Sequence, residues 1–215
     1  MSRSAWRHLT ACLEISCGRS RWHGRHPMVD QGTLLTIGHS NHRLEHFLEL
    51  LRAYDVQGVA DVRSWPASRH APWFDRGALL ESLQRVNVQY LFLGHELGGR
   101  PNDEDLYDES GHVRYDAVAK SAEFVRGLFR LRQGISVLRV AVMCAEENPQ
   151  HCHRRLLVSR VLFEQGMPVL HIRGDGRLES ERGFTRPDSL FEEPLPWRST
   201  ASVSQRRRPR ASSAA

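Results

Sequence analysis

Short apolar runs alternating with longer stretches of helical periodicity constrain this chain more than any other feature. Residues 33–37 (TLLTI), 58–62 (GVADV), 88–93 (VQYLFL), 135–143 (ISVLRVAVM) and 168–172 (PVLHI) read as strands. The fourth is nearly continuous and β-branched, as a strand buried on both faces should be. Between the runs, Leu44, Phe47, Leu48 and Leu51 share one helical face, as do Leu79, Leu80, Leu83 and Val86. Val118, Ala122, Val125 and Phe129 mark a third helix, and a fourth is expected from about residue 149 to 165. Ser40 and Asn41, then Asp75, then Asn148 are the expected N-caps, with Pro149 as the first helical residue. This alternation predicts an α/β fold: a single three-layer α/β/α domain with a mostly parallel, doubly wound sheet of about five strands.

Charge separates the chain into zones. The formal net charge is +5 over 215 residues. Residues 1–28 carry five arginines against Glu14, and residues 197–215 carry five arginines and no acid. The remaining stretch, 29–196, is therefore net negative, with 20 basic and 24 acidic residues. We expect residues 29–196 to form the domain, flanked by a basic N-terminal extension and a disordered Arg/Ser/Ala tail. Nucleic acid is then a partner through the tails alone. No apolar run approaches the roughly 18 residues of a membrane helix, so no membrane partner is expected. Four cysteines are too sparse for a disulfide scaffold, and a secretory signal pattern is missing, which leads us to expect a cytoplasmic, reduced protein. Cys12 and Cys17 have no nearby partner pair and are treated as incidental.

In a parallel sheet, ligands bind beyond the carboxyl ends of the strands. A polar segment stands after each strand: Gly38-His39-Ser40-Asn41; Asp61 to Arg69, including Arg63, Ser64 and Ser68; Gly94 to Arg100, including Gly98 and Gly99; Cys144 to Arg154; and Arg173 to Gly176. At these segments the chain resembles a known family. TIGHSN, DVRSWPASRHAPWF, YLFLGHELGGRP and VAVMCAEENPQHCHRRLL look like those of the family called domain of unknown function 488. The likeness runs over residues 36–172, and the CAE–x–x–P–x–x–CHR string is its most specific part. The resemblance implies an α/β fold and a polar pocket built from these segments. Both basic extensions, and His95 within the glycine-rich segment, depart from the family pattern.

Several chemistries fit the residue types on this rim. Cys144 reads as a reactive thiol or metal ligand, or as a small buried residue at a strand end. Cys152 reads as structural or as a partner to Cys144. Glu146 with His39 or His153 has the make-up of acid/base machinery, with Asp61 orienting one of them. Arg63, Arg69 and Arg154 suit an anion clamp, or pair with nearby carboxylates as a structural network. Gly98 and Gly99 allow close approach of a ligand or form a tight turn. Trp65, Trp73 and Phe74 stack on a ligand ring or pack in the core. Zinc-type ligands are present in Cys144, Cys152, His153 and His39. However, the spacing matches no zinc knuckle, and adjacent positions 152 and 153 would point about 100° apart on a helix. No metal is therefore expected, and no cofactor is assigned.

The sequence thus predicts an enzyme with a strand-end pocket for a small anionic or nucleotide-like ligand. Its catalytic residues would be Cys144, Glu146, His39 and Asp61. Ser40, Arg63, Ser68, Arg69, Gly98, Gly99, Cys152, His153 and Arg154 would line the pocket. The alternatives are a non-catalytic binding module, with nucleic acid bound through the tails, and a thiol redox or metal-binding protein.

Overall fold

The computed structural model describes residues 29–184 and 197–200. The basic extension 1–28 and the tail from residue 201 lie outside the described residues. In chain order the main elements are β1 (Leu34–Gly38), α1 (Leu44–Ala53), β2 (Gly58–Asp61), α2 (Arg76–Arg85), β3 (Gln89–Phe92), α3 (Gly94–Leu97), α4 (Tyr115–Val118), α5 (Ala122–Ile135), β4 (Val140–Cys144), α6 (Arg160–Glu164), β5 (Val169–Ile172) and β6 (Leu178–Ser180). The strands form one sheet in the order β3-β2-β4-β1-β5-β6. The first five pair in parallel, and β6 closes one edge antiparallel to β5. This is the expected α/β fold, with one strand more than the apolar runs indicated. No helix among the described residues is long and apolar enough to cross a membrane.

Strand order locates the crevice. The chain leaves β2 toward β3 on one side and leaves β4 toward β5 on the other, so β2 and β4 are neighbours with diverging exits. Right-handed crossovers in opposite directions place their helices on opposite faces. Accordingly, α1 and α2 bury Phe47, Leu50, Leu51, Leu79 and Leu83 on one side. The other side takes Phe124, Leu128 and Leu131 from α5 and Leu162 from α6. Alternate strand residues feed alternate cores: Val59, Ala141 and Met143 the first, Ala60, Val142 and Cys144 the second.

Three local expectations change. The run 135–143 is not all strand, because Ile135 ends α5 and β4 starts at Val140. Helix α5 also rolls away from the face expected of it. It buries Phe124, Leu128, Leu131 and Ile135 and leaves Val125 and Phe129 exposed. Both stripes have helical spacing, so periodicity alone could not choose between them. Finally, Ser40 and Asn41 do not cap α1. Ser40 sits at φ 46°, in a turn, and Arg43 holds the cap position.

Candidate functional site

The expected helix over 149–165 is broken, and the break builds the site. Asn148 caps a single 3₁₀ turn, Pro149–His151, its side-chain oxygen accepting from the Gln150 amide at 3.0 Å. Cys152 then adopts an extended conformation (φ −104°, ψ 139°) before a wide π-type turn, Arg154–Ser159, leads into α6. Because Cys152 is not helical, the 100° divergence assumed for Cys152 and His153 does not apply. Both side chains turn toward Cys144 at the end of β4. The His153 Nδ1 lies 3.6 Å from Cys144 Sγ and 4.0 Å from Cys152 Sγ. All three donor atoms fall within 4.8 Å of one another, and all three residues are buried.

The imidazole is locked from behind. His153 Nε2 donates to the Val62 carbonyl at 2.8 Å, just beyond the end of β2, so the ring spans the β2/β4 crevice. A carbonyl can only accept, so in the neutral ring Nδ1 carries the lone pair, and that nitrogen faces the two sulfurs. Gly99 lies against the other side of the ring. A Cβ built there would sit 2.6 Å from His153 Cγ. Both thiols are free. The hydrogen bond to Cys152, with burial, pushes the Cys144 thiol well above its ordinary pKa. Burial opposes ionisation of Cys152 too, but the Cys144 hydrogen bond, Arg154 and His153 outweigh it and draw its pKa well down. For His153, burial is outweighed by Cys152 and the Val62 carbonyl, and its pKa rises.

Two further groups complete the cluster. Glu146 is exposed, yet one carboxylate oxygen lies 3.9 Å from Cys144 Sγ, so it connects the buried trio to solvent. Tyr115 is fully buried, and its hydroxyl has no hydrogen-bond partner among the described residues. It packs in the same core cluster as Cys144 and Cys152; burial, with the charges of Cys152, Cys144 and Glu146, pushes its pKa up, and Arg100 opposes them. Residues 197–199 hold this tyrosine in place. The Tyr115 amide donates to the Trp197 carbonyl at 3.1 Å, and the Ser199 amide to Val113 at 3.0 Å. The first residues assigned to the tail are thus docked on the domain. Nothing in the pattern around residue 115 marks it in the sequence; a distant segment puts it beside the cysteines.

Asp61, Arg63, His39 and Ser40, four more residues of the expected pocket, form a second hydrogen-bonded network. Asp61 pairs in register with Met143, one residue before Cys144, so its side chain leaves the opposite face of the sheet. There it holds Arg63 in a two-pronged ion pair, with Nε–Oδ1 at 2.9 Å and NH2–Oδ2 at 2.7 Å, and accepts from the Tyr90 hydroxyl at 2.8 Å. Arg63 also donates to the Phe74 carbonyl and meets His39 Nε2 at 3.0 Å. His39 Nδ1 in turn lies 2.7 Å from the Ser40 carbonyl, and its ring stacks on buried Phe74, centroids 4.4 Å apart. Burial, with the Arg63 charge, lowers the His39 pKa to about 4. A neutral histidine and an arginine engaged by a carboxylate make a structural strut on that face. Their side-chain hydrogen bonds do not reach the two thiols, although the Arg63 charge acts on Cys144 and the His39 amide donates to the Cys144 carbonyl.

Arg154 is also committed. Fully buried, it donates from NH1 to the Glu146 carbonyl and from NH2 to the Glu147 carbonyl at 2.6 Å. It shapes the loop carrying Glu146, and its charge lies close to both thiols. Ser68 closes a turn, its amide donating to Asp75 at 2.7 Å and its hydroxyl accepting from Ala71. Asp75 therefore serves that turn and makes no side-chain cap on α2. Arg69 and Trp65 are exposed on the same loop, and Trp73 donates its indole to the His42 carbonyl. Gly98 packs against the Gly94 carbonyl and the Ser64 hydroxyl. The candidate site is therefore the Cys144, Cys152 and His153 cluster with Glu146 and Tyr115 beside it, and Arg154 and Gly99 as supports. Comparison with curated proteins and with solved structures returns no match. The segments that build this site, from the glycines beside His153 to the two cysteines and the turn after them, lie within residues 43–161, where the match to Domain of unknown function DUF488 falls, and the chain belongs to that family.

Proposed function

We propose that this protein binds one thiophilic divalent cation of the zinc class through Cys144 Sγ, Cys152 Sγ and His153 Nδ1. The convergence of these three donor atoms within 4.8 Å carries the reading. Zinc bonds of about 2.3 Å to sulfur and about 2.05 Å to nitrogen, at tetrahedral angles, imply N···S edges of about 3.6 Å. The two N···S edges here are 3.6 and 4.0 Å, close to that value. Two sulfurs and an imidazole favour zinc or its thiophilic neighbours over magnesium or calcium. The Val62 carbonyl gives His153 the outer hydrogen bond that orients a metal-bound histidine. Two thiolates neutralise a dication, and buried Arg154 adds a positive charge that favours the thiolate form.

A pocket for a larger anionic ligand has less support. Arg63 and Arg154, its expected clamps, are both engaged by protein groups. Two surface clefts lie elsewhere, one around Gln57 and Arg139 at the opposite end of the sheet, the other around Arg173 and Glu179 beside β6.

The test is elemental analysis of protein purified under reducing conditions, followed by cobalt titration of the metal-free form. About one metal per chain is expected, with the near-ultraviolet charge-transfer bands of cobalt–thiolate bonds. Cys144→Ser, Cys152→Ser and His153→Gln should each weaken uptake. A wild-type protein that takes up neither zinc nor cobalt stoichiometrically refutes the reading.

A further inference from the structure

We infer that the fourth coordination position of this centre is exchangeable, and that it takes water or a small oxygen- or nitrogen-donor anion under the Tyr115 hydroxyl. The inference rests on the metal reading above and goes beyond it, because it makes the centre a Lewis-acid site rather than a structural one. Three side chains converge as donors among the described residues, whereas a closed structural zinc site has four. Glu146 does not complete the set. Its carboxylate comes within 3.9 Å of Cys144 Sγ but does not belong to the group whose donors all lie within 4.8 Å.

The second observation is independent of the ligands. A fully buried phenol with no partner among the described residues, as at Tyr115, carries the desolvation cost of an unmade hydrogen bond. It packs in the same core cluster as Cys144 and Cys152, and it feels the charges of both, of Glu146 and of Arg100. The hydroxyl can donate, and an anion or hydroxide on the metal is an acceptor of the right kind. Arg100, only partly buried, adds positive charge on the same side. Glu146 reaches the cluster from solvent and adds a carboxylate beside Cys144. The ligand class is therefore a small anion, or a substrate whose oxygen replaces water on the metal. No bulky apolar compound matches these groups.

Azide added to the cobalt-loaded, full-length protein tests this. The visible cobalt bands should shift saturably with azide. Tyr115→Phe should keep the cobalt–thiolate bands while weakening azide about tenfold, the loss of one hydrogen bond to a charged acceptor. Arg100→Gln should weaken azide and flatten its dependence on ionic strength. If cobalt binds but azide shifts nothing, and Glu146→Gln changes the cobalt spectrum, Glu146 is the fourth ligand and the inference fails. Equal azide affinity in wild type and Tyr115→Phe also overturns it. If cobalt does not bind at all, the metal reading itself has failed, an outcome distinct from the other two.

Discussion

Gly99→Ala isolates the support behind the histidine. A methyl group at position 99 would lie 2.6 Å from His153 Cγ and 2.8 Å from both Cβ and Nδ1 of the same residue. Carbon–carbon contacts become comfortable only near 3.5 Å, so ring and methyl must separate by about 1 Å. Gly99 does not have a positive φ, so alanine adds no backbone strain and the effect is purely steric. The ring cannot slide freely, because Nε2 is tied to the Val62 carbonyl at 2.8 Å. It must therefore tip, and Nδ1 then leaves its position between the sulfurs. Overpacking of this kind costs about 1–3 kcal/mol of stability. Misorienting a metal-bound histidine costs about 10–100-fold in metal affinity, or about 1.4–2.8 kcal/mol. Cobalt titration against a competing chelator reads the affinity, and urea unfolding of the metal-free protein reads the stability. Gly77→Ala is the control, since a Cβ there meets nothing within 4 Å. A Gly99→Ala protein with wild-type cobalt affinity and an unchanged spectrum would show that this contact does not position the ligand.

Three other outcomes rest on the networks around the site. His39, held neutral by burial and Arg63, should titrate near pH 4 by NMR. Its folded pKa lies below the ordinary 6.5, so the unfolded chain takes up the proton first. Stability should fall as pH drops from about 6.5 to about 4, by at most about 3 kcal/mol; an NMR midpoint near 6.5 contradicts this. Glu181 behaves oppositely in origin. Burial would raise its pKa, but His171 and Arg155 outweigh it and hold it at about 2. The stability it supplies is complete above about pH 4.5 and is lost as pH falls toward 2. Arg155→Leu strands that carboxylate, whose side chain is 2% exposed, and should cost about 3–5 kcal/mol at pH 7. Urea unfolding at pH 3 should show a smaller penalty, and an equal penalty at both pH values would rule the ion pair out as the cause. Gly38→Ala places a Cβ 1.9 Å from the Glu146 carbonyl oxygen, a backbone atom that cannot swing away. We expect a loss above about 3 kcal/mol, visible as a collapse of the urea midpoint; a wild-type midpoint would mean the loop carrying Glu146 is free to move.

The apolar runs made the parallel sheet legible, because its inner strands β1, β2 and β4 are buried throughout and read as continuous blocks. The antiparallel edge β6 was not legible, since Leu178–Ser180 is short and mostly polar. Asn148 and Pro149 were recognisable as a helical start because their capping chemistry is local. How far that helix continued was not, because the extended backbone of Cys152 between two helical turns has no marker in the residue types around it.

Hydrophobic patterning is enough to mark which residues reach the carboxyl rim, since it sets the strand ends and the loops after them. The sequence also showed that residues 1–28 and 197–215 are net positive and that residues 29–196 are net negative. Only the tertiary structure decided which rim residues meet. A one-residue step along β4, from Met143 to Cys144, sends the side chain to the other face and divides one apparent constellation into two. Arg63 and Arg154 look like free cations in the sequence and are buried struts in the fold, because their partners are a carboxylate two residues away and two backbone carbonyls. Tyr115, at the start of α4, is tied by its amide to the Trp197 carbonyl, and the Ser199 amide bonds Val113 just before it. Contacts between segments this far apart in the chain depend on packing, and local sequence does not encode them.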